Sequence, residues 1–578
     1  MKEKLLSLFV ILATSIGAVY GSKVQIGSLV YELNTRKKTA EVTSGNYSGI
    51  RTVNIPASIT YHETTYRVIS IGDKAFSDCG SLRSVTIPNS VLSIGVEAFF
   101  NCGSLASINI PNSIRNVETD AFTFCDNLPV INHIRYADTF LVKAVEGYQV
   151  EDTIKSGTRW IGDAAFSGYH TKKALTHINI PTSVFCIGSV AFSGCEGLTH
   201  IKIPESVTEI GSDAFGDCRN LKSVDMSQSN ITEIDDATFE RCVNLASVSI
   251  PNTVKRIGRY AFYRCDNLAS ITLPNSVAII DEYAFHCCYK LRSISLGEGL
   301  KKIGHAAFDE CSSLNSIVIP YQTAEIGRLA FANCPQLNSI KVDPRNSVYD
   351  SRNNCNAIIE TATNTLIAGC KNTTIPYGVT GIDDFAFYGC TGLLNIFFPS
   401  SVTTLGSFAF GHCKGLTSVA IPGSIKTITH DVFSDCSGML SLVLREGVTT
   451  IEKHAFWCCK NIKSLTIPNS VTTIGEAAFS HCTSLESLNI GNGVTDIDPL
   501  SFSHCTSLES VVIAEGAKVT ISTLAFAGCE NVQYVRIPKS VENFSSSAFE
   551  DCKSMTIWLP EKCRYWRRQL NCKEITYY

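Results

Sequence analysis

The sequence predicts an α/β-type repeat solenoid, and three observations carry that prediction. Nineteen phenylalanines between Phe76 and Phe549 recur at 23 residues almost throughout, with wide gaps only after Phe122 and Phe331. A cysteine stands three residues after each of them except Phe166, which is followed by Tyr169. Each period also holds a short apolar–polar alternation, such as Leu82, Val85 and Ile87 with Ser84 and Thr86 between them. Self-similarity at such a period marks stacked units, none of which buries its own apolar side alone. At 578 residues the chain is too long for one ordinary core, which fits an array.

In chain order, residues 1–21 read as an export leader. Lys2 and Lys4 precede the apolar run Leu5–Ala13, and Val19 and Gly21 suit a cleavage before Ser22. The run is too short to span a membrane, and no later stretch reaches about 18 apolar residues. Residues 22–70 are expected to cap the array, with Val24–Val42 as a hairpin. Repeats then fill 71–125, 162–343 and 382–557.

Each unit follows C-x-x-L-x-x-[VIL]-x-[IVL]-P-x-S-V-x-x-I-G-x-x-A-F-x-x-C. The alternating segment is a strand with its apolar side inward. Pro88 ends the ladder because it lacks an N–H, and Pro88-Asn89-Ser90 is turn chemistry. Val91, Ile94, Ala98 and Phe99 turn inward on the return path. Gly95 permits a sharp bend or a close backbone approach. The Ala-Phe step is expected to be one helical or 3₁₀ turn.

The gaps at 126–161 and 344–381 read as β-hairpin islands. Phe140–Val145 is a strand followed by a Glu146-Gly147 turn, and Asn356–Glu360 and Thr365–Gly369 flank a hairpin turn. Linkers between separate domains are the competing reading. Residues 558–578 are expected to form a C-terminal cap, with a short helix from Cys563 and a final strand.

On these motifs the chain resembles the BspA-like bacterial surface-antigen family, whose leucine-rich repeats share this 23-residue period. The resemblance spans roughly residues 71–557. It implies a leucine-rich repeat solenoid with a parallel β-sheet on the concave face and short helical or 3₁₀ turns on the convex side. It also implies export to the cell surface and binding of protein or host-matrix ligands, and it supplies no catalytic residues.

The 25 cysteines of an exported chain suggest disulfides at first sight. Eighteen, however, stand in one column, where stacking points neighbouring Cβ atoms the same way, against disulfide geometry. These are expected to be buried thiols acting as small, weakly hydrogen-bonding apolar groups. Cys355 and Cys370, opposite each other in the second island, are the best disulfide candidates, followed by Cys563 and Cys572. Cys-x-x-Cys pairs are absent and a column offers ligands in a line rather than a tetrahedron, so no metal site is predicted, at His412, His481 and His504 included.

A net charge of −4 leaves no basic face for nucleic acid. No phosphate loop, nucleophile elbow or zinc-protease helix is present, so no catalytic residue, cofactor or reaction is predicted. The outward strand positions are mostly small and hydroxylic, for example Ser84/Thr86 and Ser464/Thr466. Phe397, Ala420 and Val443 interrupt that pattern and form the first candidate binding patch. Tyr534, Arg536 and Trp558 form the second, on residue types enriched in binding hot spots. The function expected is a secreted or surface-displayed, adhesin-like binding protein for a protein or extracellular-matrix ligand. A glycan-binding or hydrolase-associated module, or a structural surface-layer component, are the alternatives.

Overall fold

The computed structural model describes residues 21–149, 152–167, 175–552, 554–568 and 573–578. Apart from Gly21 the expected leader lies outside them, as do Tyr169 and Cys572. The chain divides into two compact units, residues 1–232 and 233–578. In both, successive coils stack through two separate parallel ladders. Front strands carry the apolar–polar alternation, as in Ser316–Ile319 beside Ser339–Val342. Two-residue back strands pair at the Ile-Gly step, as in Arg256–Ile257 beside Ile279–Ile280.

The first unit opens with the antiparallel strands Gly21–Ile26, Leu29–Asn34 and Thr39–Thr43. The last of these pairs in parallel with Thr64–Ile71, which passes the back ladder to Ser93–Ile94 and Asn116–Val117. The front ladder starts at Thr52–Asn54, parallel to Ser84–Thr86. The hairpin Ile134–Ala137/Phe140–Ala144 joins the back ladder through Trp160–Ile161. In the second unit, Ala357–Glu360 and Thr365–Gly369 form a hairpin that joins the back ladder through Gly381–Ile382. The chain's last strand, Glu574–Tyr577, lies parallel to Thr556–Leu559.

The core is a column of rings. Phe262, Phe285, Phe308 and Phe331 stack with centroids 5.0, 5.3 and 5.6 Å apart and planes within 8° of parallel. That distance follows from the spacing of hydrogen-bonded strands, about 4.8 Å. Burying each ring is worth about 1.5–3 kcal/mol. In the first island Phe122 meets Phe140 at 53°, so the parallel ring stacking is interrupted there. The Ile-Gly column has a steric origin: a Cβ on Gly95 would sit 2.7 Å from the Asp73 amide nitrogen. The serine of the Pro-x-Ser-Val turn reaches across coils, as where Ser470 Oγ donates to the Val448 carbonyl at 2.6 Å.

The helical return expected at the Ala-Phe step is not present. Among the described residues the helices are two 3₁₀ segments, Arg352–Asn354 and Glu561–Arg568, neither at that step. Two residues of nearly every described coil explain this. Glu97 and Asn101, flanking Ala98-Phe99-Phe100, have φ of 51° and 55°, left-handed values that a right-handed helix cannot contain. The amides are also committed elsewhere. Glu97, Phe99 and Asn101 donate to the carbonyls of Thr119, Ala121 and Thr123 in the next coil, at 3.0, 2.9 and 2.8 Å. The return arm is thus a chain of turns stitched coil to coil.

The cysteine column consists of thiols, and no disulfide occurs among the described residues. Most of these thiols donate to the phenylalanine carbonyl one coil back, as Cys102 Sγ does to Phe76 O at 3.0 Å and Cys436 Sγ to Phe410 O at 3.1 Å, whereas Cys79 in the first coil turns to Ser77 O at 3.8 Å. The expected Cys355–Cys370 bridge is also absent. A bulge between Ile358 and Ile359 shifts the hairpin register and takes the two cysteines out of opposition. Cys370 Sγ instead donates to Asn356 O at 3.3 Å. Cys563 is a buried thiol.

Candidate functional site

Front strands present one polar and one apolar row. In Ser418–Ile421 and Ser441–Leu444, positions one and three are exposed and two and four are buried. Ala420 lies directly opposite Val443 in the parallel register. Phe397 follows the strand Asn395–Ile396, which pairs with Ser418 and Val419, so its place continues the row. Phe397 is 80% exposed and Val443 40%. An exposure of that size for phenylalanine costs the fold the burial energy it would gain inside.

The patch is larger than the sequence pattern suggested. Leu394 and Leu440 are exposed immediately before their strands. The intervening coil carries Thr417 at that position, and the N–H of Leu440 donates to the Thr417 carbonyl at 2.8 Å. Arg83, Lys222, Arg292 and Lys463 occupy the same column elsewhere, so leucine there was the missed signal. Tyr377 is exposed at the equivalent of the Pro-x-Ser turn, one coil before Phe397.

The second candidate is a cluster at the other end of the same unit. Tyr534 pairs with Thr556 and Arg536 with Trp558 in the strand register. The Tyr534 and Trp558 rings lie 6.3 Å apart. Arg536 sits 3.2 Å from Glu515 Oε1 and 5.2 Å from the Tyr578 ring centroid. Tyr578 Oη donates to Glu515 Oε1 at 3.1 Å. Slight burial opposes the Glu515 charge, but the Lys539 amide, Tyr578 and Arg536 outweigh it and hold its carboxyl below the usual range. Arg536 is therefore already paired, and Tyr578 and Glu515 belong to this cluster although the sequence reading did not name them.

Metal-ligating groups converge at one place among the described residues. Ligand atoms of His286, Cys287 and Glu310 all lie within 4.8 Å of one another. Cys287 Sγ is 3.4 Å from Glu310 Oε2, and His286 Nδ1 is 3.1 Å from the Asp309 carbonyl oxygen. Burial pushes the Cys287 thiol up to about 11. Burial opposes the His286 charge too, but the Asp309 carboxylate outweighs it and raises that imidazole. His481 and His504 lie 4.8 Å apart, while His412 is paired with Asp435 at 3.0 Å.

The BspA type leucine rich repeat region matches residues 54–173, 159–252, 232–358, 365–482 and 449–574. A comparison with curated proteins gives no match. Among solved structures, a leucine-rich repeat protein of Bacteroides ovatus ATCC 8483 is 23% identical over 96% of this chain and 99% of its own, with a TM-score of 0.30. A leucine rich cell surface protein of Faecalibacterium prausnitzii A2-165 is 22% identical over 96% and 95%, with a TM-score of 0.21. The pneumococcal vaccine antigen PcpA is 14% identical over 97% and 99%, with a TM-score of 0.32. With family matches running over most of its length and a 23-residue coil repeated in both units, the chain belongs to the BspA type leucine-rich repeat family.

Proposed function

We propose that this is a secreted or surface-displayed binding protein, adhesin-like and without a reaction of its own, that holds a protein or extracellular-matrix ligand on its front strands. One observation carries the reading: Leu394, Phe397, Leu440 and Val443 are exposed on two nearby coils of a face whose outward strand positions are mostly small and hydroxylic. Apolar surface gathered in one place on a soluble face marks a contact site. Ser418 Oγ, which donates to Asn395 Oδ1 at 2.9 Å, rims the patch with polar groups. The order of basic, apolar and small residues in the leader supports export.

The test is affinity capture with the purified chain from extracts of the surface it meets, repeated with Phe397→Ser/Val443→Ser. Loss of the captured partner supports the reading; undiminished capture by the double variant overturns the assignment to this patch. A second reading rests on a cleft of about 230 Å³ beside the second island, lined by Tyr349, Glu360, Thr365 and Asp383. Hydroxyl and carboxylate groups beside an aromatic ring suit a glycan. If Glu360→Gln abolishes binding to a glycan array while the double variant leaves it intact, the accessory-module reading replaces the first.

A further inference from the structure

We propose that His286, Cys287 and Glu310 form a zinc-class metal site, with Asp309 orienting the imidazole. The ligand chemistry is the first reason. Thiolate, imidazole and carboxylate together are the donor set of four-coordinate zinc, with Zn–S about 2.3 Å and Zn–N or Zn–O about 2.0–2.2 Å. Those bond lengths put tetrahedral ligands about 3.3–3.8 Å apart. The 3.4 Å between Cys287 Sγ and Glu310 Oε2 already meets that separation, and the third ligand atom lies within 4.8 Å of both.

Placement is the second reason. A single column of a stacked array presents its side chains in a line, which is why the buried cysteines make no metal site. Here two columns contribute. His286 and Cys287 occupy the two positions after Phe285, and Asp309 and Glu310 occupy the same positions after Phe308. The Cys287 amide donates to the Asp309 carbonyl at 3.0 Å and fixes one pair over the other. Ligand atoms from two columns and two adjacent coils therefore converge rather than standing in a row.

The surrounding groups are the third. His286 Nδ1 lies 3.3 Å from Asp309 Oδ2, and Asp309 Oδ1 accepts from Asn333 Nδ2 at 2.8 Å. A carboxylate that holds a histidine, itself held by an amide, is the usual outer layer of a metal site. Tyr289 Oη donates to Glu310 Oε2 at 3.4 Å. Cys287 also takes a left-handed φ of 60°, at a position filled in other coils by Asp78, Asn101 or Gly194. Cysteines are adjacent at Cys287-Cys288 and again at Cys458-Cys459, and the second pair makes the contrast. The coil after Cys458 supplies Ser480 and His481, with no carboxylate. Binding would exchange the Cys287 thiol proton, released to solvent, for the metal–sulfur bond.

The experiment is titration of the chelator-stripped full chain with Co²⁺, then Zn²⁺. One equivalent of Co²⁺ should produce a thiolate-to-cobalt charge-transfer band in the near ultraviolet and the visible bands of a four-coordinate ion. Zn²⁺ should abolish both. Cys287→Ser should remove the charge-transfer band, and Glu310→Gln should weaken Co²⁺ binding by about tenfold or more. Cys458→Ser should change neither, with circular dichroism confirming that each variant is folded. If Cys287→Ser does not fold, the Glu310→Gln affinity decides. Absence of the band in the parent chain overturns the proposal, as does its survival in Cys287→Ser, its loss in Cys458→Ser, or unchanged affinity in Glu310→Gln.

Discussion

The thiol of Cys311 donates to the carbonyl oxygen of Phe285, one coil back, across 3.2 Å. The same carbonyl accepts the Cys288 amide, also at 3.2 Å, so one side chain and one backbone group share it. Cys311→Ala removes the side-chain donor and a sulfur-sized volume but leaves the amide. The expected cost is about 1–2 kcal/mol, from a hydrogen bond of about 1 kcal/mol and a small lost burial. A urea midpoint unchanged from the parent would show that the thiol is a spacer and no more.

Truncation of Phe308 should be felt more strongly. Its ring lies between Phe285 and Phe331 and is fully buried. Phe308→Ala should destabilise the unit that holds it by about 3–5 kcal/mol. The earliest transition in calorimetry is the readout, since arrays need not unfold in one step. A loss below about 1 kcal/mol would mean that the coils close up around the cavity.

Glu41 gives a pH prediction. Its carboxyl is raised from 4.5, chiefly by burial, with Ser70 opposing and Glu32 and Asp73 adding. A carboxyl raised on folding is more readily protonated in the folded chain. Its contribution is complete below the unfolded value and is lost as pH rises through the folded value. Glu41→Gln should therefore raise the melting temperature at pH 7 and give little or no gain at pH 3. Equal gains at both would locate the effect elsewhere. The parent's hydrogen bond from Ser70 Oγ to Glu41 Oε2, 2.7 Å, has an acceptor in glutamine as well.

Phe397→Ser separates binding from stability. The ring is 80% exposed, so its loss should move stability by no more than about 0.5 kcal/mol. As the anchor of a contact it should cost about 2 kcal/mol or more of affinity, near thirtyfold. Surface plasmon resonance with the captured partner measures this; an unaltered dissociation constant would remove Phe397 from the site.

The stacking was legible because it repeats. A phenylalanine every 23 residues, a cysteine three later and an alternating strand leave little else for the side chains to do. The return arm was misread because Ala-Phe suits a helix by composition, whereas the deciding groups are backbone ones. The clue was present at Asp78, Asn101, Asp217 and Asn333, residue types that tolerate the left-handed region. The bulge at Ile358 has no such marker, so the Cys355–Cys370 opposition looked sound. The exposed row at Phe397 and Val443 departs from a serine-rich column and could be seen. His286, Cys287 and Glu310 could not, because no single column of the repeat holds them and the cluster spans two.

The coil-to-coil bonding of the return arm bears on how such a gene can change. Phe433 donates its amide to Ala455 and Phe456 to Ala478, at 2.9 and 2.8 Å. Excising residues 434–456 would bring Phe433 to Ala478 with the backbone donors and acceptors of this seam matched as before. Unequal crossing-over in whole blocks would therefore lengthen or shorten the front-strand face while keeping this seam in phase.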